Sequence, residues 1–220
     1  MKGKDISLLL SLPLFRGMKQ EDLSQFLSDN VYSLSSSTKN SIPIMAGDII
    51  HSVGIVLEGV LIGQVDNQNG TSTIINYLEK GSVFGDVLSG SGDSSPVTVY
   101  AKTNCRILWL DLNGILNTIH TDKVYVLFLK NLIQEISEKF FTLNDRVHIL
   151  SERKLRDRIF KMLNIMAVKQ GSNSITLPYK TRYDLANYLG SERASLSREL
   201  SKMSREGLIK IKKNKVELMY

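Results

Sequence analysis

Between Arg193 and Lys202 the chain reads RASLSRELSK, a stretch whose polar residues are typed for reading nucleic acid. At helical spacing, Leu196, Leu200 and Met203 fall on one side. Arg193, Ser195, Ser197, Arg198 and Lys202 are left facing outward. An arginine can pair bidentately with guanine in the major groove, and a serine hydroxyl can bond a base edge or a phosphate. No comparable set exists for catalysis. His51, His120 and His148 are scattered, and no nucleophile has an identifiable base partner, so no catalytic residue is assigned. The single cysteine, Cys105, cannot hold an iron–sulfur cluster or a cysteine zinc site within the chain. No metal ligand and no cofactor is identified.

Two helical patterns must position those residues. The first runs Tyr183–Leu189 with Leu185, Ala186 and Leu189 on one face; the second runs from about Glu192 to Arg205. Ala186 is small enough for a close crossing, and Gly190 can take the positive φ of a tight turn between them. That is the pattern of a helix-turn-helix whose second helix enters the major groove, the alternative being a plain helical hairpin with a solvated basic face. Ile209–Leu218 alternates about a turn near Asn214 and reads as a small β wing, with Lys213 and its neighbours placed to touch phosphates; a solvated hairpin is the duller reading. An amphipathic helix over residues 151–170 and a short strand at residues 174–178 precede these elements.

Upstream, residues 122–150 carry Leu129, Ile133, Ile136, Phe140, Leu143, Val147 and Leu150 at alternating spacings of four and three. This is a coiled-coil seam, and the expectation is a parallel pairing of two subunits, the alternative being a helix packed on its own sheet. A dimer also suits DNA, since it reads two half-sites about 34 Å apart. Residues 31–112 change to strand periodicity, with Ile55–Leu57, Val60–Ile62, Thr73–Leu78, Val97–Tyr100 and Ile107–Leu110 between Gly-rich turns and a hairpin loop at Asp66–Gly70. Such a run implies an antiparallel sandwich or barrel, a fold that often encloses a pocket. Residues 4–28 read as short helices that cap it. Charge follows this division: residues 1–150 hold 12 basic and 15 acidic side chains, residues 151–220 hold 16 and 7. A basic terminal domain on an acidic body is what a binder of phosphate backbone shows. No apolar run reaches membrane-span length and the lone cysteine suits a reducing compartment, so a cytoplasmic protein without a membrane partner is expected.

In this order the parts resemble the Crp/Fnr family of bacterial transcription regulators. Leu12–Met18 looks like that family's opening segment. Ala46-Gly47-Asp48, Val56–Val60 and Val83-Phe84-Gly85-Asp86 look like landmarks of its cyclic-nucleotide-binding-type β-roll, and Leu177–Ile209 like its winged helix-turn-helix. The resemblance implies an α+β chain: an antiparallel β-roll sensor over residues 1–121, a dimerisation helix over 122–150 and a DNA-binding domain over 151–220. Arg193 and Arg198 match the family's two recognition-helix arginines. Ala194 stands where a base-contacting acid is frequent, and could pack on a thymine methyl group. Thr181 and Arg182, at the mouth of the first helix, are expected on phosphates. The effector pocket would lie around Gly85, Asp86, Val87, Ser95 and Phe140. Cyclic-AMP binders in the family pair Gly-Glu with a later Arg-Ser or Arg-Thr; here stand Gly85-Asp86 and Ser94-Ser95-Pro96, and no basic residue lies between Lys80 and Lys102. A cyclic phosphate would lose a charge-assisted bond worth roughly 1.5–3 kcal/mol. The expectation is a homodimeric regulator on double-stranded DNA, governed by a small molecule other than cyclic AMP. As an activator it would also contact RNA polymerase.

Overall fold

The computed structural model describes residues 3–66, 72–117, 122–179 and 181–219. The chain divides into two compact units, residues 1–136 and 137–220. The hairpin loop expected at Asp66–Gly70 falls almost wholly outside the described residues, as does His120.

The first unit opens with helices α1 (Gly3–Ser11) and α2 (Gln20–Asp29), joined through a 3-10 turn at Pro13–Phe15. Strands β1 (Tyr32–Ser37), β2 (Ser52–Glu58), β3 (Leu61–Asp66), β4 (Ser72–Leu78) and β5 (Val83–Phe84) follow, then α3 (Asp86–Ser91), β6 (Thr98–Ala101), β7 (Cys105–Asp111) and α4 (Leu112–Leu116). Helix α5 (Lys123–Leu150) begins in this unit and ends in the next. Two antiparallel sheets form, ordered β1-β7-β2-β5 and β4-β3-β6. Strand β2 is buried on both faces, which explains its nearly continuous apolar run. Val53, Ile55 and Leu57, with Leu108 and Leu110, face a core shared with α1, α2 and the start of α5. Val56 and Ile107 face the other way, against Leu61, Phe84, Val99 and Ala101.

Polar contacts fasten the helices to this sheet. Arg106 donates to both carboxylate oxygens of the buried Asp5 and to Glu58, which also accepts from Lys4. Asn131 on α5 donates to the carbonyl oxygens of Leu14 and Arg16. Gly59, at φ +88, makes the turn after β2; a Cβ there would lie 2.3 Å from the carbonyl oxygen of Asn104, so only glycine fits. Cys105 is buried beside it, its thiol within reach of the carbonyl oxygens of Val60 and Thr103.

The second unit holds the last turns of α5, then α6 (Leu155–Gln170), β8 (Ser174–Thr176), α7 (Arg182–Tyr188), α8 (Arg193–Arg205), β9 (Ile209–Lys212) and β10 (Lys215–Leu218). Its sheet is ordered β8-β10-β9. One core gathers Ile149 from α5, Ile159, Met162 and Leu163 from α6, Leu185 and Ala186 from α7, Leu196, Leu200 and Met203 from α8, and Ile209 and Val216 from the wing. Three helices with a β wing on one core make a winged helix-turn-helix. None of the described helices is long and apolar enough to cross a membrane.

Candidate nucleic-acid interface

Helix α7 starts at a complete capping box: the Asp184 amide donates to the Thr181 hydroxyl, and the Thr181 amide donates to the Asp184 carboxylate. The Thr181 hydroxyl also donates to that carboxylate, at 2.8 Å, so it is committed to the cap. Gly190, at φ +60, turns the chain toward α8. From α6, the Arg158 guanidinium donates to the carbonyl oxygens of Leu189 and Gly190, both at 3.1 Å, and pins that turn.

Helix α8 buries Leu196, Leu200 and Met203. At about 100° per residue, its opposite side is the line Ala194, Arg198, Ser201 and Arg205, all exposed, flanked by Ser197 and Lys202. Arg193, the first residue of the helix, is exposed as well, while Ser195 is half-buried and accepts from Arg198 Nη2 at 3.2 Å. Ser195 therefore sits beneath Arg198 as an orienting partner. A groove of about 460 Å³ runs along this side, lined by Ser197, Arg198, Glu199, Ser201, Lys202 and Arg205. Ser201 and Arg205 were not singled out from the sequence, although counting four, seven and eleven residues on from Ala194 identifies them.

The helix is braced from behind. Arg156 on α6 donates from Nε to Glu199 at 2.6 Å and from both terminal nitrogens to Glu206, the residue that caps α8. Those bonds hold the Glu206 carboxyl below the usual carboxylate range and raise the Arg156 guanidinium. No sequence signal marks Arg156, because its partners lie 43 and 50 residues away.

The wing turn is Lys213-Asn214, with Lys213 at φ +55 and Lys210, Lys212 and Lys215 exposed around it. A cleft of about 430 Å³ separates this turn from the start of α7, lined by Leu177, Tyr179, Thr181, Arg182, Leu185, Lys213 and Asn214. Arg182 and Lys213, far apart in sequence, thus flank one opening.

In the first unit Asp86 is buried at the start of α3, after Gly85 at φ +74. Ser95 is buried, its hydroxyl donating to the Val97 carbonyl at 2.7 Å and accepting from the Val97 amide. The backbone of Ser95 is tied to Gly47 and Asp48. The Val87 side chain lies outside the described residues, and Phe140 falls in the second unit. His51 and His148 are exposed.

Of the seam positions on α5, Ile133, Phe140, Leu143 and Val147 are exposed at 66%, 62%, 62% and 59%, an apolar face left open in the single chain. Leu129 and Ile136 are partly covered by the core of the first unit.

A β-roll unit followed by a winged helix-turn-helix with an outward basic recognition helix defines a DNA-binding regulator with an attached sensor-type domain. Residues 35–122 match the cyclic nucleotide-binding domain and residues 156–219 the Crp-like helix-turn-helix domain. The nitrogen fixation regulation protein FixK of Bradyrhizobium diazoefficiens is 27% identical over 171 residues, 74% of this chain and 68% of that protein. The cAMP-activated global transcriptional regulator Vfr of Pseudomonas aeruginosa is 24% identical over 194 residues, 80% and 84% of the two chains. Among solved structures, the catabolite activator protein of Thermus thermophilus shares the fold at a TM-score of 0.56 and 21% identity, over 94% of this chain and 93% of that one. The chain belongs to the Crp/Fnr family of transcriptional regulators.

Proposed function

We propose that two copies of this chain pair along α5 and read an inverted repeat in double-stranded DNA. The observation that carries this reading is the exposed line Ala194, Arg198, Ser201 and Arg205 on a helix whose other side is core. Arg193 and Arg198 are assigned to guanines, Ala194 to a thymine methyl, and Ser197 and Lys202 to the flanks. Arg182 and Lys213 take phosphates from the two sides of their cleft; the Thr181 hydroxyl serves the cap, so its part is to set the mouth of α7. The open faces of Ile133, Phe140, Leu143 and Val147 suit a partner helix of the same kind.

The β-roll is assigned a sensing role for an effector other than cyclic AMP. Ser95, at the place of a phosphate-binding residue, spends its hydroxyl on its own loop, and no basic residue between Lys80 and Lys102 stands ready to pair with a cyclic phosphate. Effector binding would act by population shift, changing seam pairing and so the distance between recognition helices. Selection from randomised duplex DNA, with purified protein and no added ligand, is expected to enrich an inverted repeat. On the selected site Arg198→Ala should cost about 1–3 kcal/mol and leave random DNA nearly unaffected, whereas Lys213→Ala should weaken both alike. Equal losses from Arg198→Ala on cognate and random DNA would overturn the readout.

A further inference from the structure

Within the second unit, the last turns of α5 have two opposed sides. Phe140, Leu143 and Val147 make the exposed apolar side. At about 100° per residue, Asp145 and Ile149 point the other way and Arg146 lies on the flank between them and Leu143. Each of these three is engaged with the winged helix. Ile149 is 1% exposed in its core. Asp145 accepts from Lys169 Nζ at 2.6 Å. Arg146 donates from Nη2 to the carbonyl oxygen of Asn187 at 3.3 Å, and its guanidinium lies over the Tyr188 ring, 5.5 Å from the centroid.

The carbonyl of Asn187 belongs to the C-terminal end of α7, where a cation is favoured, and it also accepts from the Gly190 amide at 3.2 Å. The Tyr188 ring packs in turn on Tyr179, at 4.9 Å between centroids, and Tyr179 lines the cleft flanked by Arg182 and Lys213. Leu150 closes on the helix-turn-helix turn itself: a Cβ on Gly190 would stand 3.1 Å from its Cδ2. One residue, Arg146, therefore sits beside the seam residue Val147 in sequence while holding the end of the first DNA-binding helix through two contacts of different kinds.

We propose that Arg146 is a positioning residue, which carries the geometry of the paired seam to the helix-turn-helix and so fixes the operator spacing the dimer accepts. The inference rests on the homodimer reading above. A guanidinium can stack on a ring face and donate in its own plane at once, so it resists both sliding and rotation of α7 against α5. A purely apolar contact of similar length would keep the packing and lose that restraint. Half-site spacing reads out this restraint directly, because one added base pair turns the second half-site by about 35° around the duplex.

The test uses the full chain and a series of operators built from the selected repeat, with the centre lengthened or shortened by one and two base pairs. The wild type is expected to favour its own spacing about tenfold or more, and Arg146→Met to fall below about threefold. Dimer affinity and discrimination against a mutated half-site should stay unchanged in that variant, results that loss of fold would not give. Tyr188→Leu removes the other partner and should relax spacing in the same way, so a poorly folding Arg146→Met does not decide the matter. Spacing preference retained in the folded variants overturns the assignment of Arg146 alone. A wild-type protein that is monomeric, or indifferent to spacing, overturns the dimer reading and this inference with it.

Discussion

Replacing Phe140 by alanine removes the largest side chain of the open apolar face on α5, and its effect can be worked from exposure. Phe140 is 62% exposed in the single chain. With about 150–200 Å² on a phenylalanine side chain, roughly 100 Å² is available for a partner to cover. At about 25 cal/mol per Å², full coverage is worth about 2.5 kcal/mol per copy. A two-fold symmetric pairing uses the residue twice, which makes about 5 kcal/mol per dimer. Half coverage still leaves about 2.5 kcal/mol, nearly two decades in the dimer dissociation constant. Sedimentation equilibrium over a broad concentration range measures that constant directly. Val168→Ala is the control: Val168 is 83% exposed on α6, outside the seam, and should change nothing. A shift of less than about threefold for Phe140→Ala would refute the seam reasoning, since even partial coverage predicts more.

The remaining expectations concern stability and the β-roll. Gly59→Ala places a Cβ 2.3 Å from a backbone oxygen at φ +88, so it should lower the melting temperature of the first unit, with the backbone conformation alone costing about 1–3 kcal/mol. Glu206 titrates below the usual carboxylate range because Arg156 bonds its ionised form. A depressed carboxyl stabilises the fold above the ordinary glutamate range, and that contribution is lost as pH falls through the folded value. Wild-type melting temperature should therefore drop more steeply as pH falls below the ordinary glutamate range than that of Arg156→Met, and parallel acid limbs would contradict the pairing. Calorimetric titration of the whole protein with cyclic AMP should give no heat at micromolar ligand. Saturable micromolar binding would show that the β-roll holds a cyclic phosphate without a cationic partner.

Much of the second unit was legible in the chain order because its signals are local. The turn glycine at residue 190 and the spacing of Leu196, Leu200 and Met203 each act within a few residues. The wing was readable for the same reason, its turn falling at Lys213-Asn214 in the middle of an alternating run. Strand β1 was not. Its sequence YSLSSS carries a single strong apolar residue, and it becomes a strand by pairing along its whole length with β7, where Ser35 accepts from the Trp109 indole. Short α3 and β5 were likewise not marked as elements; β5 forms by pairing with β2, where Phe84 lies over Gly54. On α5 the heptad pattern marks one face but does not say what covers it; the core of the first unit takes part of Leu129 and Ile136.

The sequence by itself determined the division into an acidic sheet-rich part and a basic helical part, the helix-turn-helix and the outward basic face of α8. Charge and short-range periodicity are properties of the chain before it folds. Only the tertiary structure decided which side chains meet across the chain. It brought Arg156 to Glu199 and Glu206, Arg182 and Lys213 to one cleft, and Arg146 to the end of α7. Those pairings depend on how helices and strands pack at separations of tens of residues, and no local pattern encodes a contact whose partner lies in another element.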